Sequence, residues 1–315
     1  VVATRHVIVT GGLGFIGRET IAPLIKRGFT AHILTRTIAP ADKESLRAKF
    51  GASVNLYQVD LHDSKAVSTL IKKIKASHLL HLAWDTRHGI FWNSPDNLDW
   101  IVTSKILLQD FIEAGGKRVV AAGTCAEYDW EGSDLFLTEG ESKLLPLTLY
   151  GQSKLAFRKS LNTLSQHYKI SSAWGRVFFL FGPREGEKRL VSSAIISLLK
   201  ETEFLASAGD QIRDFADSRD VAAGFVALLD SDVTGDVNIA SGEPVTVASV
   251  LSKVGEILNR RDLIKLGARP KQQGEPARLV ASVKRLREEV KFSPASDLDT
   301  RLKEVVEWWR EKMKL

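Results

Sequence analysis

A chain of 315 residues with 44% hydrophobic and 26% charged residues has material for one large α/β core and a smaller appended lobe, and none of its apolar runs reaches the ~20 residues that span a bilayer. A single cysteine, Cys125, excludes an intrachain disulfide and a cysteine-built zinc site, so no metal centre is expected. The net charge of +6 is spread over intermixed Lys, Arg, Asp and Glu, which points to a solvated surface with an anionic small-molecule site and away from nucleic acid.

The first residues run into Arg5-His6-Val7-Ile8-Val9-Thr10, a strand pattern without the basic and apolar regions of a secretory leader, and a cytoplasmic location is the expectation. Further short apolar runs stand at 31–34, 54–59, 78–82 and 118–122. Helical patterns over about 14–27, 63–75 and 98–114 separate them, the last closed by Gly115-Gly116. Near-continuous apolar strands between helices predict a parallel sheet buried on both faces, hence an α/β, Rossmann-type doubly wound fold. A helix from Tyr150 to about 168 and a strand at 171–177 follow, after which the alternation loosens. The predicted division is a dinucleotide-binding domain of 1–177 plus 221–258 and a smaller, discontinuous substrate-binding lobe of 178–220 plus 259–315.

Thr10-Gly11-Gly12-Leu13-Gly14-Phe15-Ile16-Gly17 lies between the first strand and the first helix, the context that makes a glycine pattern informative. Gly11 suits a tight turn, Gly14 a close approach to a pyrophosphate, and Gly17 the packing of helix on strand, with Phe15 and Ile16 opening the helix towards the phosphates. The second strand ends in Leu34-Thr35-Arg36-Thr37, where an acid would accept hydrogen bonds from ribose hydroxyls. Arg36 cannot accept them but can pair with a 2′-phosphate, assisted by Thr35, Thr37 or Lys43, so the expected cofactor is NADP(H). Asp60, in Val59-Asp60-Leu61, is a candidate for the adenine edge or else a cap for the helix near Asp63.

Tyr150-Gly151-Gln152-Ser153-Lys154 sets a phenol and an ammonium on one helix face. A cation beside tyrosine favours proton exchange with an alcohol oxygen, the partner step of hydride transfer. Ala122-Gly123-Thr124 ends a strand with a hydroxyl able to hold the same oxygen.

With TGGLGFIG at 10–17, VDL at 59–61, HLAW at 81–84, GTCAEY at 123–128, YGQSK at 150–154, RVFFLFGP at 176–183 and RDFADSRDVA at 213–222, the chain resembles the extended short-chain dehydrogenase/reductase family over nearly its whole length. The resemblance implies that Thr124, Tyr150 and Lys154 are the catalytic triad. It also implies that Lys154 holds the nicotinamide ribose, that Leu82, Ala83 and Trp84 line the cofactor cleft, and that the chain forms a homodimer through the helices at 98–114 and 148–168. Family dehydratases follow the threonine with an Asp-Glu pair, whereas this chain has Cys125-Ala126, so dehydration is not expected. Packing is the simpler role for Cys125, although some members use a cysteine in this loop for epimerisation.

On the substrate side the resemblance points to a nucleotide sugar, with Arg213 meeting the diphosphate and Arg184, Lys188 and Arg189 in the covering loop. Trp84 or Trp130 would offer a sugar platform and Glu127 a hydroxyl acceptor. Phe179 stands where many relatives carry a phosphate-binding asparagine, and Gln272 near where an arginine is common. His81, His88 and Trp92 also fall on or after strand ends, where core or loop anchoring is the simpler role, and Trp308-Trp309 reads as core or interface. The leading expectation is NADPH-dependent reduction of a nucleotide-linked 4-keto-6-deoxysugar. Rivals are a 4-epimerase with tightly bound NAD, a reductase of a small ketone or aldehyde, and a non-catalytic cofactor-sensing regulator.

Overall fold

The computed structural model describes residues 5–132, 136–271 and 274–314. In chain order its first half comprises β1 (Arg5–Thr10), α1 (Gly17–Lys26), β2 (Phe29–Thr35), α2 (Pro40–Phe50), β3 (Val54–Gln58), α3 (Ser64–Ile74), β4 (His78–His81), α4 (Asp96–Glu113), β5 (Arg118–Thr124), α5 (Leu149–Tyr168) and β6 (Ser171–Val177). It continues with β7 (Phe179–Phe181), α6 (Leu190–Leu199), β8 (Phe204–Leu205), β9 (Ile212–Asp217), α7 (Ser218–Leu229), β10 (Gly235–Ile239), β11 (Pro244–Thr246) and α8 (Val247–Leu258). The last elements are β12 (Ile264–Lys265), β13 (Arg278–Leu279), α9 (Lys284–Glu288) and α10 (Leu298–Met313).

Seven parallel strands form the central sheet in the order β10-β6-β5-β4-β1-β2-β3. The apolar runs are continuous because each strand faces two cores. Val7 and Val9 of β1 join the cluster of α1 and α7, while Ile8 between them joins that of α3, α4 and α5. The order of connection reverses between β1 and β4, which opens a crevice at their carboxyl ends, the place where such sheets bind ligands. The predicted α/β doubly wound sheet is the one found.

The helix α2 was not among the expected elements. Only Leu46 of its eleven residues is buried, so it carries no apolar period; Pro40 at its start and Gly51 at positive φ after its end delimit it instead. Apart from the central sheet there is a small mixed sheet, in which β9 pairs with β7, β11 and β13. Within 221–258, α7 and β10 belong with the main sheet, whereas α8 packs with α6 and α10 around Ile195, Leu251, Val305 and Trp309.

Candidate active site

At the crevice lies a cavity of about 490 Å³, walled by Gly11, Leu13, Gly14 and Arg18 from the first turn and by Leu34, Thr35, Arg36 and Thr37 from the end of β2. Asp42, Asp60, Leu61, Ala83, Trp84 and Trp100 complete much of the rest. A Cβ on Gly17 would lie 2.1 Å from Gly11 O, so only glycine lets α1 start this close to the turn. No side chain caps the start of α1, and although Arg18 N–H donates to Gly14 O at 3.1 Å and Glu19 N–H to Ile16 O at 3.0 Å, the dipole of the helix N-terminus favours an anion there. Leu34, Leu61 and Trp100 supply apolar surface for a flat ring. The wall therefore fits an adenine nucleotide, phosphates at the helix and ring between β2 and β3. Arg36 is exposed at the rim and Lys43 does not line the cavity. Asp60 bends its own loop by accepting from His62 N–H at 3.0 Å, and Asp63 caps α3 through Ala66 N–H, which leaves Asp60 on the wall. Phe15, Ile16 and Leu82 are not among the residues that line the cavity, and Ile16 and Leu82 pack against the core.

Beside this cavity Thr124, Tyr150 and Lys154 converge. Thr124 closes β5, and its Oγ1 accepts from Ala126 N–H at 3.2 Å, which orients the hydroxyl to donate towards Tyr150. Thr148 caps α5 by accepting from Gly151 N–H, and Tyr150 sits in the first turn with its own N–H donated to Trp92 O at 2.9 Å. A Cβ on Gly151 would fall 2.3 Å from Ala126 O, so the glycine inside the YGQSK run is what allows α5 to lie against the turn after β5 and Tyr150 to bond with Thr124. One helical turn on, Lys154 Nζ donates to Ala122 O at 3.0 Å and lies 6.0 Å from the Tyr150 ring centroid. Burial pushes the Tyr150 phenol up, which the Thr124 hydrogen bond opposes, so the phenol is held as an acid. Burial pulls the Lys154 ammonium down to about 7, against the attraction of Glu127.

The sequence model of the NAD dependent epimerase/dehydratase family matches residues 7–240, a span that includes both the glycine turn and the Thr124, Tyr150 and Lys154 cluster. The chain belongs to the NAD dependent epimerase/dehydratase family. It is 24% identical over 329 residues to a UDP-glucose 4-epimerase of Halalkalibacterium halodurans, covering 97% of this chain and 96% of that one. It is 25% identical over 336 residues to a dTDP-4-dehydro-6-deoxy-D-allose reductase of Streptomyces bikiniensis, covering 98% and 97%. Its fold is shared with the UDP-glucose 4-epimerase of Thermotoga maritima solved with UDP-glucose, at TM-score 0.87 and 21% identity over 98% of this chain and 99% of that one. It is shared equally with a dTDP-glucose 4,6-dehydratase of Bacillus anthracis in complex with NAD, at TM-score 0.85 and 16% identity over 98% of each chain.

Several expected contacts of this epimerase/dehydratase-family chain are redirected. Glu127 is not available to a sugar hydroxyl: it is fully buried, and its carboxylate accepts from Thr124 N–H at 2.9 Å, Trp174 Nε1 at 2.9 Å and Arg176 Nε at 2.8 Å. It braces the strand end from below. Arg213 is buried with its guanidinium 2.9 Å from Glu275 and over the Phe179 ring at 5.2 Å, so a diphosphate would have to displace Glu275 to reach it. Arg184 turns to Glu19 of α1 and to the Trp308 ring. Arg189 donates to Thr86 O at 3.0 Å and lies over Phe91, tying the 182–189 loop to the 85–92 loop. Gln272 lies outside the described residues.

His81 is buried between Thr10 and Ser104, and burial lowers it to about 3, so it is a neutral bridge within the core. Cys125 is buried with its thiol pushed up to about 12 by desolvation, which leaves no thiolate for chemistry. Trp130 anchors its loop on Cys125 O, and Trp309 is core. Sequence reasoning missed Asp42, on the cavity wall and paired with Arg18 at 2.8 Å, and Phe91, whose ring meets Tyr150 edge-on at 4.9 Å. Neither carries a local signal, since both are brought in by segments with no regular period.

Proposed function

We propose that the chain uses NADPH to reduce the carbonyl of a nucleotide-diphosphate-linked 4-keto-6-deoxysugar. The observation that carries the reading is that Arg36, and not an acid, follows the last residue of β2 and opens onto the same cavity that Trp84 borders next to Lys154. Arg36 suits the 2′-phosphate, the glycine turn and the N-terminal end of α1 suit the pyrophosphate, and Asp60 and Leu61 the adenine. The bound nicotinamide supplies hydride. Thr124 keeps its proton and donates a hydrogen bond that orients the carbonyl oxygen, Tyr150 transfers the one phenolic proton to that oxygen as it becomes an alcohol, and Lys154 favours the resulting phenolate. The rings of Phe91, Trp92 and Trp130 around Tyr150 give this end of the site an apolar wall, which favours a deoxy position beside the ketone. The exposed stripe of Leu98, Val102 and Ile106 on α4 supports pairing of two chains through α4 and α5.

A second reading, reduction of a ketone that carries no nucleotide, is favoured by the Glu275 carboxylate on Arg213. The test is to mix the protein with NADPH and dTDP-4-keto-6-deoxyglucose and follow the loss of reduced nicotinamide. Stoichiometric oxidation is the expected result. Interconversion of UDP-glucose and UDP-galactose by protein that carries NAD through purification would replace the reading by epimerisation, and turnover of simple ketones alone by the second reading.

A further inference from the structure

The ammonium of Lys154 has an uncommon environment. The residue is 3% exposed, and among the described residues no carboxylate forms an ion pair with it. Its one hydrogen bond goes to Ala122 O. On another side it meets the face of Trp84, whose ring centroid is 3.9 Å from Nζ. That ring is held on all sides. Its Nε1 donates to Asn97 Oδ1 at 2.8 Å, and Asn97 is itself buried and fixed through its Nδ2 to Phe91 O at 2.7 Å and Ser94 O at 2.9 Å. Trp100 stacks on Trp84 at 5.8 Å and Phe157 lies at 6.4 Å.

A cation over an indole face is attracted by the ring's quadrupole, most strongly where water is excluded. The charged and titratable groups that act on this ammonium are few. Glu127, from the turn after β5, attracts it; His81, from β4, is neutral; Tyr150 shares its helix, and Arg189 from the second lobe acts on the phenol. Glu127 is already satisfied by Thr124, Trp174 and Arg176. The contact that compensates the buried ammonium directly, besides one carbonyl, is the Trp84 ring.

We propose that Trp84 is a positioning residue for proton transfer, its ring face holding the Lys154 ammonium charged and in place beside Tyr150. The inference rests on reading Tyr150 and Lys154 as the reacting pair. It separates Trp84 from a plain wall of the cofactor cavity: with a less negative ring face, Lys154 gives up its proton at lower pH and Tyr150 loses the neighbouring cation.

The experiment replaces Trp84 site-specifically, in the full chain, by mono-, di- and trifluorotryptophan, which keep shape and the Asn97 hydrogen bond while weakening the ring face. Lys154 is titrated by the NMR signal of its labelled ε-carbon, assigned by its loss in Lys154→Arg. The expected result is a stepwise fall of the midpoint, by about 0.5–1 pH unit in total, with Trp84→Phe also below the natural chain. An unchanged midpoint across the fluorinated series overturns the proposal. Ketosugar reduction is measured on the same samples, where the alkaline limb of kcat moves with the midpoint. A midpoint that shifts in a chain that turns over no ketosugar sinks the reductase reading and leaves this one standing; turnover with a fixed limb and midpoint does the reverse.

Discussion

Glu127 and Arg176 form an ion pair 2.8 Å long with neither side chain exposed, directly beneath the strand end that carries Thr124. Arg176 extends the pair to Asp236 at 2.9 Å, and Asp236 to Arg158 at 2.6 Å, so the support runs from the β5 end across β6 and β10 to α5. Removing one partner of a desolvated pair leaves the other charge uncompensated. Arg176→Met is expected to cost about 3–5 kcal/mol of folding stability, read as a fall in the urea midpoint, and to lower kcat as the Thr124 backbone loosens. A midpoint within error of the natural chain would deny the brace its role.

Tyr150→Phe removes one hydroxyl from a ring already fixed by Phe91 and Trp92. Ketosugar turnover is expected to fall by roughly 10²–10⁴-fold, while the thermal midpoint and the affinity for NADPH, followed by its fluorescence, change little. Retained turnover would reassign the proton donor.

Arg36→Ala takes away the exposed guanidinium on the cavity wall. A charge-assisted hydrogen bond to a phosphate contributes about 1.5–3 kcal/mol, so NADPH affinity should drop about 10- to 150-fold with NADH affinity nearly constant. Equal losses for both nucleotides would show that Arg36 does not discriminate between them.

His81 is held neutral in the fold, its pKa lowered by burial from 6.5 to about 3, and burial likewise lowers His32 and His78 to about 4. Below pH 6.5 the unfolded chain therefore binds more protons than the folded one. Stability present above that pH is lost as the pH falls towards 3–4, at about 1.4 kcal/mol per pH unit for the fully buried His81. Urea midpoints measured between pH 7 and pH 5 (about one proton's slope from His81) should decline, and less steeply in His81→Gln. A slope equal in both chains would count against the assignment.

Lys154 carries the same kind of cost at higher pH. Its folded pKa of about 7 lies below the 10.5 of an unfolded lysine, so from pH 10.5 downwards the unfolded state gains the proton first and stability is lost as the pH falls to about 7. Lys154→Met is expected to raise stability at pH 7 by about 1–3 kcal/mol while ending turnover. Differential scanning calorimetry decides it, and destabilisation would mean that the ammonium's contacts outweigh its desolvation.

Strand identity, parallel pairing, the glycine turn and the run from Tyr150 to Lys154 were legible in the amino-acid order because each depends on near neighbours: apolar runs for strands facing two cores, glycine where a backbone comes close, and one helical turn for the phenol and ammonium. The helix α2 was not, since burying Leu46 alone leaves no period to read. The partners of Glu127 and Arg213 were not legible either, for a different reason. Both lie in runs that resemble the family, but their partners, Arg176 and Glu275, are 49 and 62 residues away, and a buried charge takes whichever counter-charge the fold brings within reach. The same holds for Trp84 over Lys154, which are 70 positions apart. Local order in the chain thus determined which groups this protein owns and on which elements they ride; which of them face the cavity, and which are spent on one another, was decided only when β1, β4 and β5 aligned their carboxyl ends and α4 and α5 closed over them.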